Sequence, residues 1–157
     1  MITRYQAKDA EALTQLWLES TCAAHPFIPR EYWENHKDEI QNKYLPHSHT
    51  IVWKEKEEPL GFLSIMGENW IGALFVSPKA QNRGIGSALL EYCQQKGEPL
   101  SLAVYCQNER AVSFYQKHSF KILEKVVGEA PGQWEYHMQW TPSSQRNWGS
   151  DNILEEY

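Results

Sequence analysis

The spacing of apolar residues predicts helices in the first third of the chain. After Asp9, which we expect to cap a helix, apolar side chains recur every three to four positions up to residue 24. Prolines within residues 24–29 stop that helix, because proline lacks an N–H and restricts the residue before it. A second helix is predicted from Pro29 to about Tyr44. Its inner face consists of Trp33, Ile40 and Tyr44.

From residue 50 onwards, short apolar runs separated by turn residues predict β-strands. The run at 70–76 is apolar throughout, so we expect both of its faces to be covered. A helix predicted over 88–96 separates this run from the next, which implies a right-handed parallel crossover that places Val76 and Cys106 side by side. Ligands bind at that edge in open α/β sheets. The runs lie at residues 50–54, 60–66, 70–76, 100–106, 120–127 and 133–140.

A glycine-containing turn links the strand at 70–76 to the following helix. It consists of Gln81, Asn82, Arg83, Gly84, Ile85, Gly86 and Ser87. Glycine lets the backbone approach a ligand closely, and the first N–H groups of a helix have no partner within it. Those N–H groups and the helix dipole favour an anion such as phosphate. The same pattern also fits a strand-to-helix turn that binds nothing, so the neighbouring motifs must decide.

Length and charge limit the functions that the chain can have. Its 157 residues suit one domain, which we place at 1–140, followed by a polar tail at 141–157 that we expect to be mobile. The 15 Lys and Arg against 20 Asp and Glu give a net charge of -5 without a basic run, which argues against nucleic acid as a partner. Aromatic residues reach 13%, enough to line a site for a cationic substrate.

The cysteine, histidine and hydropathy patterns indicate a cytoplasmic protein without a metal site. Cys22, Cys93 and Cys106 are odd in number and lack close pairing, so we expect free thiols in a reducing compartment. We expect no signal peptide, because the first residues have the pattern of a strand, and no apolar run has the length of a membrane span. His47 and His49 share a short loop without cysteine or helical spacing, which is typical of solvated side chains.

Three motifs together resemble those of the GNAT superfamily of acyl-CoA-dependent N-acetyltransferases. The superfamily has a hydrophobic strand, a Gln/Arg-x-x-Gly-x-Gly turn, and an Asn-x-x-Ala helix with Phe-Tyr and a closing Phe. The chain supplies these as Leu74-Phe75-Val76-Ser77-Pro78, Gln81-x-x-Gly84-x-Gly86, and Asn108-x-x-Ala111 with Phe114-Tyr115 and Phe120. The resemblance covers residues 1 to about 140. The segments Ser20-Thr21 and His25-Pro26-Phe27-Ile28 further resemble the small stand-alone bacterial members, which acetylate lysine.

The resemblance implies an α/β fold of the α+β GNAT type. The sheet of this fold is mixed and mostly antiparallel, with six to seven strands, a splayed central parallel pair and about four flanking helices. The resemblance also implies an enzyme that uses acetyl-CoA as co-substrate, without a metal. In this reaction a primary amine attacks the thioester directly. The expected coenzyme contacts come from Phe75, Val76, Gln81, Asn82, Arg83, Gly84, Ile85, Gly86, Ser87, Asn108 and Tyr115.

Within this set, each residue has an expected role carried over from the superfamily. Backbone groups of Phe75 and Val76 pair with the pantetheine arm, and the 81–87 turn wraps the pyrophosphate with help from Arg83. Asn108 lies near the pantetheine, and Tyr115 protonates the departing thiolate. Two positions depart from a simple match: Lys117 fits a phosphate contact or a solvated lysine, and Ser119 replaces the usual glycine. If Ser119 is left-handed, it costs about 1 kcal/mol.

The acceptor amine also needs a general base, because an alkyl amine with a pKa of about 10.4 is almost fully protonated near neutral pH. The sequence leaves the base open between Glu68, Glu135 and a chain of water molecules. Protein lysine is the first expectation for the acceptor, and polyamines, aminoglycosides and peptide amino termini stay open, as does the oligomeric state. The expected acceptor walls are His25, Phe27, Trp33, Trp70 and Trp134.

Two other functions fit parts of the pattern. A non-catalytic acyl-CoA sensor or interaction module would need the coenzyme site but not the hydroxyl of Tyr115. Transfer to the amine of a charged tRNA, as in some related toxins, is disfavoured by the net charge of -5. Tyr115 therefore favours the enzyme over the sensor.

Overall fold

The computed structural model describes residues 1–143, so residues 144–157 of the predicted mobile tail lie outside the described residues. The helices are α1 (Ala10–Ala24), α2 (Arg30–Glu34), α3 (Lys37–Glu39), α4 (Leu45–His47), α5 (Ile85–Gln94) and α6 (Glu109–Lys117). The strands are β1 (Ile2–Arg4), β2 (His49–Glu55), β3 (Glu58–Met66), β4 (Trp70–Val76), β5 (Leu100–Tyr105), β6 (Lys121–Val127) and β7 (Trp134–Trp140).

Helix α1 packs its apolar stripe on β3 and β4, as its sequence predicts. Asp9 does not cap this helix, contrary to expectation. Its carboxylate instead accepts the backbone N–H of Gln6 at 2.9 Å and pairs with Lys54 Nζ at 2.8 Å. Because a buried lysine needs a counter-charge, the ion pair takes the carboxylate away from the helix end. The buried stripe includes Leu13, Leu16 and Trp17.

The second predicted helix is interrupted rather than continuous. Helix α2 ends at Glu34, and α3, a π-helical turn over Ile40–Tyr44 and α4 follow it. In a continuous helix, His36 N–H would donate to Tyr32 O. At the interruption it donates to Trp33 O instead, and the His36 ring Nδ1 lies 2.6 Å from Tyr32 O. The inner face is correct, since Trp33 is buried and Ile40 is partly buried.

All seven strands form one sheet in the order β1-β2-β3-β4-β5-β7-β6. Every neighbouring pair is antiparallel except β4 and β5, which run parallel. These two pair only at Trp70 with Ser101 and at Ile71 with Leu102, and beyond them the strands diverge. The predicted α/β architecture, a mixed sheet with a splayed central parallel pair, is therefore confirmed.

Strand β4 changes character where the strands diverge. Gly72 is an extra residue in the pairing with β3, a β-bulge between the pairs made by Ile71 and Ala73. Trp70 is 38% exposed and residues 73–76 are only half-buried, so the expected coverage of both faces is wrong. One edge of this strand meets an open gap. For the same reason Val76 and Cys106 end on separated strands rather than side by side.

Two apolar clusters cover the opposite faces of the sheet. The first packs α5 and α6 on one face, with Leu63, Leu89, Leu102, Tyr115 and Met138 among its buried members. The second packs α1 and the short helices on the other face, with Leu13, Trp17, Trp33, Val52 and Phe62 among its members. The gap between β4 and β5 thus lies between two solid layers, each of which supplies helices to its rim.

Candidate active site

The β4 edge at the gap presents backbone groups in a fixed alternation. Ser77 N–H donates to Leu60 O at 2.8 Å, and such bonding alternates along an antiparallel pair. The backbone of Phe75 is therefore turned to β3, while the N–H and C=O groups of Leu74 and Val76 face the gap. The sequence analysis did not name Leu74 among the backbone contacts, because only the pairing register shows which residues of β4 turn their backbone groups to the gap. Phe75 was expected to present its backbone at this edge, but its backbone groups pair with β3, and its side chain packs on the α1 face.

The carbonyl of Val76 is engaged from two sides. Ser20 Oγ donates to it at 3.1 Å and Gln81 Nε2 at 3.4 Å. Ser20 belongs to α1 and Gln81 to the glycine turn, so one carbonyl ties the end of β4 to both layers. Val76 N–H and the groups of Leu74 are thereby held in a defined direction at the gap.

The glycine turn ends in a helix start whose N–H groups are uncapped. Gly84 has φ 81° and stands at the N-cap of α5, where no side chain bonds to the helix. Ala88 N–H donates to Gly84 O, which leaves the earlier N–H groups of Ile85, Gly86 and Ser87 at the turn. Ile85 is buried and anchors this end of α5. The dipole of α5 gives the position a partial positive charge.

Two arginines lie beside this turn, and the sequence singled out only one of them. Arg83 Nη2 lies 2.5 Å from Glu55 Oε2 in an ion pair. Arg110, in the first turn of α6, donates to Asn82 Oδ1 at 2.8 Å and to Gln81 Oε1 at 3.3 Å. The sequence offered one signal for Arg110, which lies two residues after the Asn108 cap. The first turn of α6 therefore carries Arg110, and this turn lies beside the glycine turn.

Helix α6 has Asn108 at its N-cap and Tyr115 near its end. Asn108 Oδ1 accepts Ala111 N–H at 3.2 Å, the cap that the sequence predicts. The Tyr115 side chain is 9% exposed and packs edge-on against Phe114 and Phe120. Burial raises the pKa of Tyr115, so the phenol stays neutral at physiological pH.

The end of α6 has the backbone conformation that its missing glycine suggested. Ser119 has φ 72°, in the left-handed region. Phe120 N–H then bonds back to Tyr115 O at 3.0 Å, so the helix closes despite the serine. Lys117 is exposed on the outer side of the same helix.

His25, in the loop after α1, contacts the N-cap residue of α6. Its Nδ1 lies 2.8 Å from Thr21 O, and its Nε2 lies 3.3 Å from Asn108 Nδ2. The first contact assigns a proton to Nδ1, so Nε2 accepts from the amide. Burial lowers the pKa of His25, in line with this neutral form.

The predicted walls His25, Phe27 and Trp33 do come together, around a residue that the sequence analysis missed. Tyr105, the last residue of β5, has its ring centroid 5.1 Å from His25, 5.8 Å from Phe27 and 6.2 Å from Trp33. Burial, with Tyr32 and Glu135 nearby, raises the pKa of Tyr105. Its only sequence signal was a large side chain at a strand end, which is too common to select.

Trp70 lies apart from this aromatic group, at a cavity of about 210 Å³ on the α1 face. None of the described residues that line the cavity carries a charge. It reaches Gly72 and Ala73, the first residues of β4 beyond its two pairs with β5. Its lining includes Trp17, Tyr44, Phe62, Trp70, Gly72 and Ala73.

Trp134 and the two carboxylates named from the sequence occupy three different places. Trp134 is 49% exposed, beneath Lys125 Nζ at 5.6 Å, and the alternation of β7 turns it away from Glu135. Glu135 pairs in register with Tyr105, and partial burial raises its pKa. Glu68 is exposed in the turn before Trp70, at the end of β4 that still pairs with β5.

The described residues also bear on metals and membranes. Across residues 1–143, no three His, Cys, Asp or Glu side chains stand close enough together to form a metal site. His47 is exposed, with its Nδ1 2.7 Å from Lys43 O. In that same part of the chain, no helix has the length and apolar character needed to cross a bilayer.

Sequence and structure comparisons identify relatives of the whole domain. Residues 10–120 match the model of the acetyltransferase (GNAT) family. The chain is 43% identical to the peptidyl-lysine N-acetyltransferase YiaC of Escherichia coli K12, over 79% of this chain and 85% of YiaC. It is 32% identical to the E. coli peptidyl-lysine N-acetyltransferase YjaB, over 77% of this chain and 82% of YjaB.

Solved structures agree with this assignment. The apo form of E. coli YjaB has a TM-score of 0.77 and 27% identity, covering 91% of this chain and 98% of YjaB. The PaiA N-acetyltransferase of Thermoplasma acidophilum, solved with coenzyme A, shares the fold with a TM-score of 0.76 at 22% identity, covering 90% of this chain and 98% of PaiA. The chain therefore belongs to the GNAT family and is an N-acetyltransferase that takes its acetyl group from acetyl-CoA.

Proposed function

We propose that the acceptor of this acetyltransferase is the ε-amine of lysine side chains in proteins. The names of YiaC and YjaB, at 43% and 32% identity, support this substrate class. The observation that carries the direct-transfer mechanism is the divergence of β4 and β5 after Ile71 and Leu102. A thioester held in that gap can be reached by an amine from the α1 face without a covalent enzyme intermediate.

On the donor side, the pantetheine arm pairs with the edge of β4 through Leu74 and Val76, like an added strand. The pyrophosphate lies on the uncapped start of α5, against the N–H groups of residues 84–87. Asn108 then faces the pantetheine, and Tyr115 faces the sulfur. Packing alone does not explain glycine at position 86, because an added Cβ would meet Phe114 at 3.5 Å and Val76 at 3.6 Å, which are ordinary contacts. This leaves contact with the coenzyme as the proposed reason for Gly86.

Glu135 is the general base in this proposal. Deprotonating a lysine amine near neutral pH costs roughly 4 kcal/mol, so a base of raised proton affinity is useful. Glu135 has a raised pKa and stands in register with Tyr105, the last residue of the strand that borders the gap. Glu68 instead lies in the turn before Trp70, where β4 still pairs with β5. The carboxylate takes the amine proton directly or through a water molecule.

Tyr115 is the acid that assists the departing thiolate. As the new C–N bond forms and the C–S bond breaks, negative charge collects on sulfur, whose thiol has a pKa of about 8.5. A phenol that burial keeps neutral can donate its hydrogen bond to that charge throughout the step. The proton that finally reaches sulfur is restored to the phenol from solvent.

The acceptor side combines an aromatic wall with an uncharged cavity. Tyr105, with His25, Phe27 and Trp33 packed around it, forms a rigid wall beside the gap. The cavity near Trp70 carries no charge in its lining and suits the methylene stem of lysine or an apolar neighbour in the polypeptide. The net charge of -5 favours capture of a cationic segment. Three free thiols among the described residues fit a reducing, cytoplasmic setting.

A panel of amines tests the proposed acceptor. Thiol release from acetyl-CoA would be followed with a lysine peptide whose amino terminus is blocked, the same peptide with Lys replaced by Arg, a peptide with only a free amino terminus, spermidine and an aminoglycoside. We expect turnover with the blocked lysine peptide and none with its arginine version. Turnover confined to small amines or amino termini would contradict the proposal. Stabilisation by acetyl-CoA without any turnover would point to a sensor.

A further inference from the structure

The two arginines at the glycine turn differ in how their charges are compensated. Arg83 is paired with the carboxylate of Glu55, which also accepts a hydrogen bond from Trp53 Nε1 at 3.2 Å. Within residues 1–143, the hydrogen bonds of the Arg110 guanidinium go to the neutral amide oxygens of Gln81 and Asn82. The charge of Arg83 is therefore neutralised locally, while that of Arg110 is not.

This difference decides which guanidinium suits an anion. A phosphate at Arg83 would have to displace Glu55 or accept a carboxylate as its neighbour, and both oppose binding. At Arg110 a phosphate would replace or join two neutral acceptors, so the guanidinium would gain contacts in which the acceptor is charged as well as the donor. A guanidinium has five N–H donors, and the contacts with Gln81 and Asn82 use two of them.

The position of Arg110 also matches the ligand. Its two partners open the turn that leads to Gly84, and one of them, Asn82, is itself left-handed with φ 64°. Gln81 continues the contact to Val76 O at 3.4 Å, so Arg110 is connected to the β4 edge through a single side chain. A cation there stands beside both the uncapped start of α5 and the gap.

We propose that Arg110, rather than Arg83, is the side-chain cation that binds the pyrophosphate of acetyl-CoA. This inference rests on the proposed placement of the pyrophosphate at residues 84–87. Arg110 holds Gln81 and Asn82 before the coenzyme arrives and turns its remaining donors to the phosphates when it binds. Arg83 stays with Glu55 and contributes little to affinity.

Matched variants test the proposal by calorimetric binding without any acceptor, so the result does not depend on which amine is acetylated. Arg110→Gln should weaken acetyl-CoA binding at least about tenfold, the loss expected for one charge-assisted contact. Arg83→Gln, its control, should change the Kd less than about twofold. Arg110→Lys should recover part of the loss, because it restores the charge but not the fork.

Shortened donors separate a phosphate contact from support of the turn. Acetyl-pantetheine lacks all phosphates, so Arg110→Gln should leave its Kd unchanged, whereas a variant that distorts the turn would raise it. Acetyl-dephospho-CoA keeps only the pyrophosphate and should show the full loss. The proposal is overturned if Arg83→Gln is the more damaging change, if acetyl-pantetheine is equally affected, or if the loss disappears with acetyl-dephospho-CoA.

Discussion

Tyr115 combines a structural and a chemical demand in one side chain. Its ring is part of the core under α6, and only its hydroxyl is assigned to the reaction. Tyr115→Phe keeps the ring and should lower kcat by about 10²- to 10⁴-fold, the usual contribution of a general acid, with a smaller change in KM for acetyl-CoA. Tyr92→Phe, on the exposed side of α5, is the matched control and should keep full activity. An unchanged kcat in Tyr115→Phe would remove the proposed acid.

A substitution at Gly86 should have opposite effects on the stability of the protein and on its affinity for acetyl-CoA. An added methyl group meets only ordinary contacts, and alanine favours a helix over glycine by about 0.5–1 kcal/mol. Gly86→Ala should therefore unfold at an equal or higher temperature, yet bind acetyl-CoA more weakly, because in the proposed complex the backbone of residue 86 lies against the pyrophosphate. Calorimetric unfolding and binding on one sample measure both effects. Unimpaired binding would place the coenzyme away from this residue.

At the scale of the element, α6 pays a conformational cost at its last turn. Ser119 adopts φ 72°, which costs a residue with a side chain about 1 kcal/mol relative to glycine. Ser119→Gly should raise the free energy of unfolding by about this amount without altering kcat. Ser113→Gly, the same change at an exposed position inside α6, should lower it by about 0.5 kcal/mol. Chemical denaturation of the two variants measures both signs, and equal signs would contradict the account.

Local patterns predicted those elements whose causes are local. The Asn108 cap, the left-handed Ser119 and the strand–helix–strand order all follow from neighbouring residues, and the structure has each of them. The predicted Asp9 cap was wrong and the ion pair of Arg83 was not foreseen, because the partners Lys54 and Glu55 are distant in sequence. Sequence spacing carries no information about such pairings.

Residues of the candidate site could be predicted from the sequence where they fall in contiguous motifs. The glycine turn and the Asn108–Tyr115 helix were named in advance because they fall in contiguous patterns. Tyr105 and Arg110 were not, since their positions come from the register of β5 and the docking of α6. Trp134 was named as an acceptor wall together with Glu135 as a candidate base, and the alternation of β7 puts these two side chains on opposite faces of the sheet.

At the scale of the whole molecule, two histidines make stability depend on pH. Burial lowers the pKa of both His25 and His118 in the folded state. Below about pH 6.5 the unfolded chain therefore binds more protons than the folded one, and stability falls as the pH drops. Glu135, with a raised pKa, acts in the opposite direction nearer its own titration range.

We therefore expect a lower Tm at pH 5.5 than at pH 7.5, measured by calorimetry. His25→Gln should reduce this difference, because glutamine keeps hydrogen-bonding groups but does not titrate. His47→Gln, at an exposed position, should leave the difference unchanged. A pH dependence that is identical in all three proteins would exclude His25 as a source.

The short pairing between β4 and β5 affects the local opening of the sheet. Two residue pairs join the two halves of the sheet, so amide hydrogens of Leu74 and Val76 should exchange quickly with solvent when no coenzyme is bound. At about 100 times its Kd, acetyl-CoA should slow their exchange and add about 2.7 kcal/mol to the free energy of unfolding. In the proposed complex the donor is an added strand that fills the gap beyond the two pairs joining β4 and β5, so the sheet is bridged along its whole length only while the enzyme is loaded.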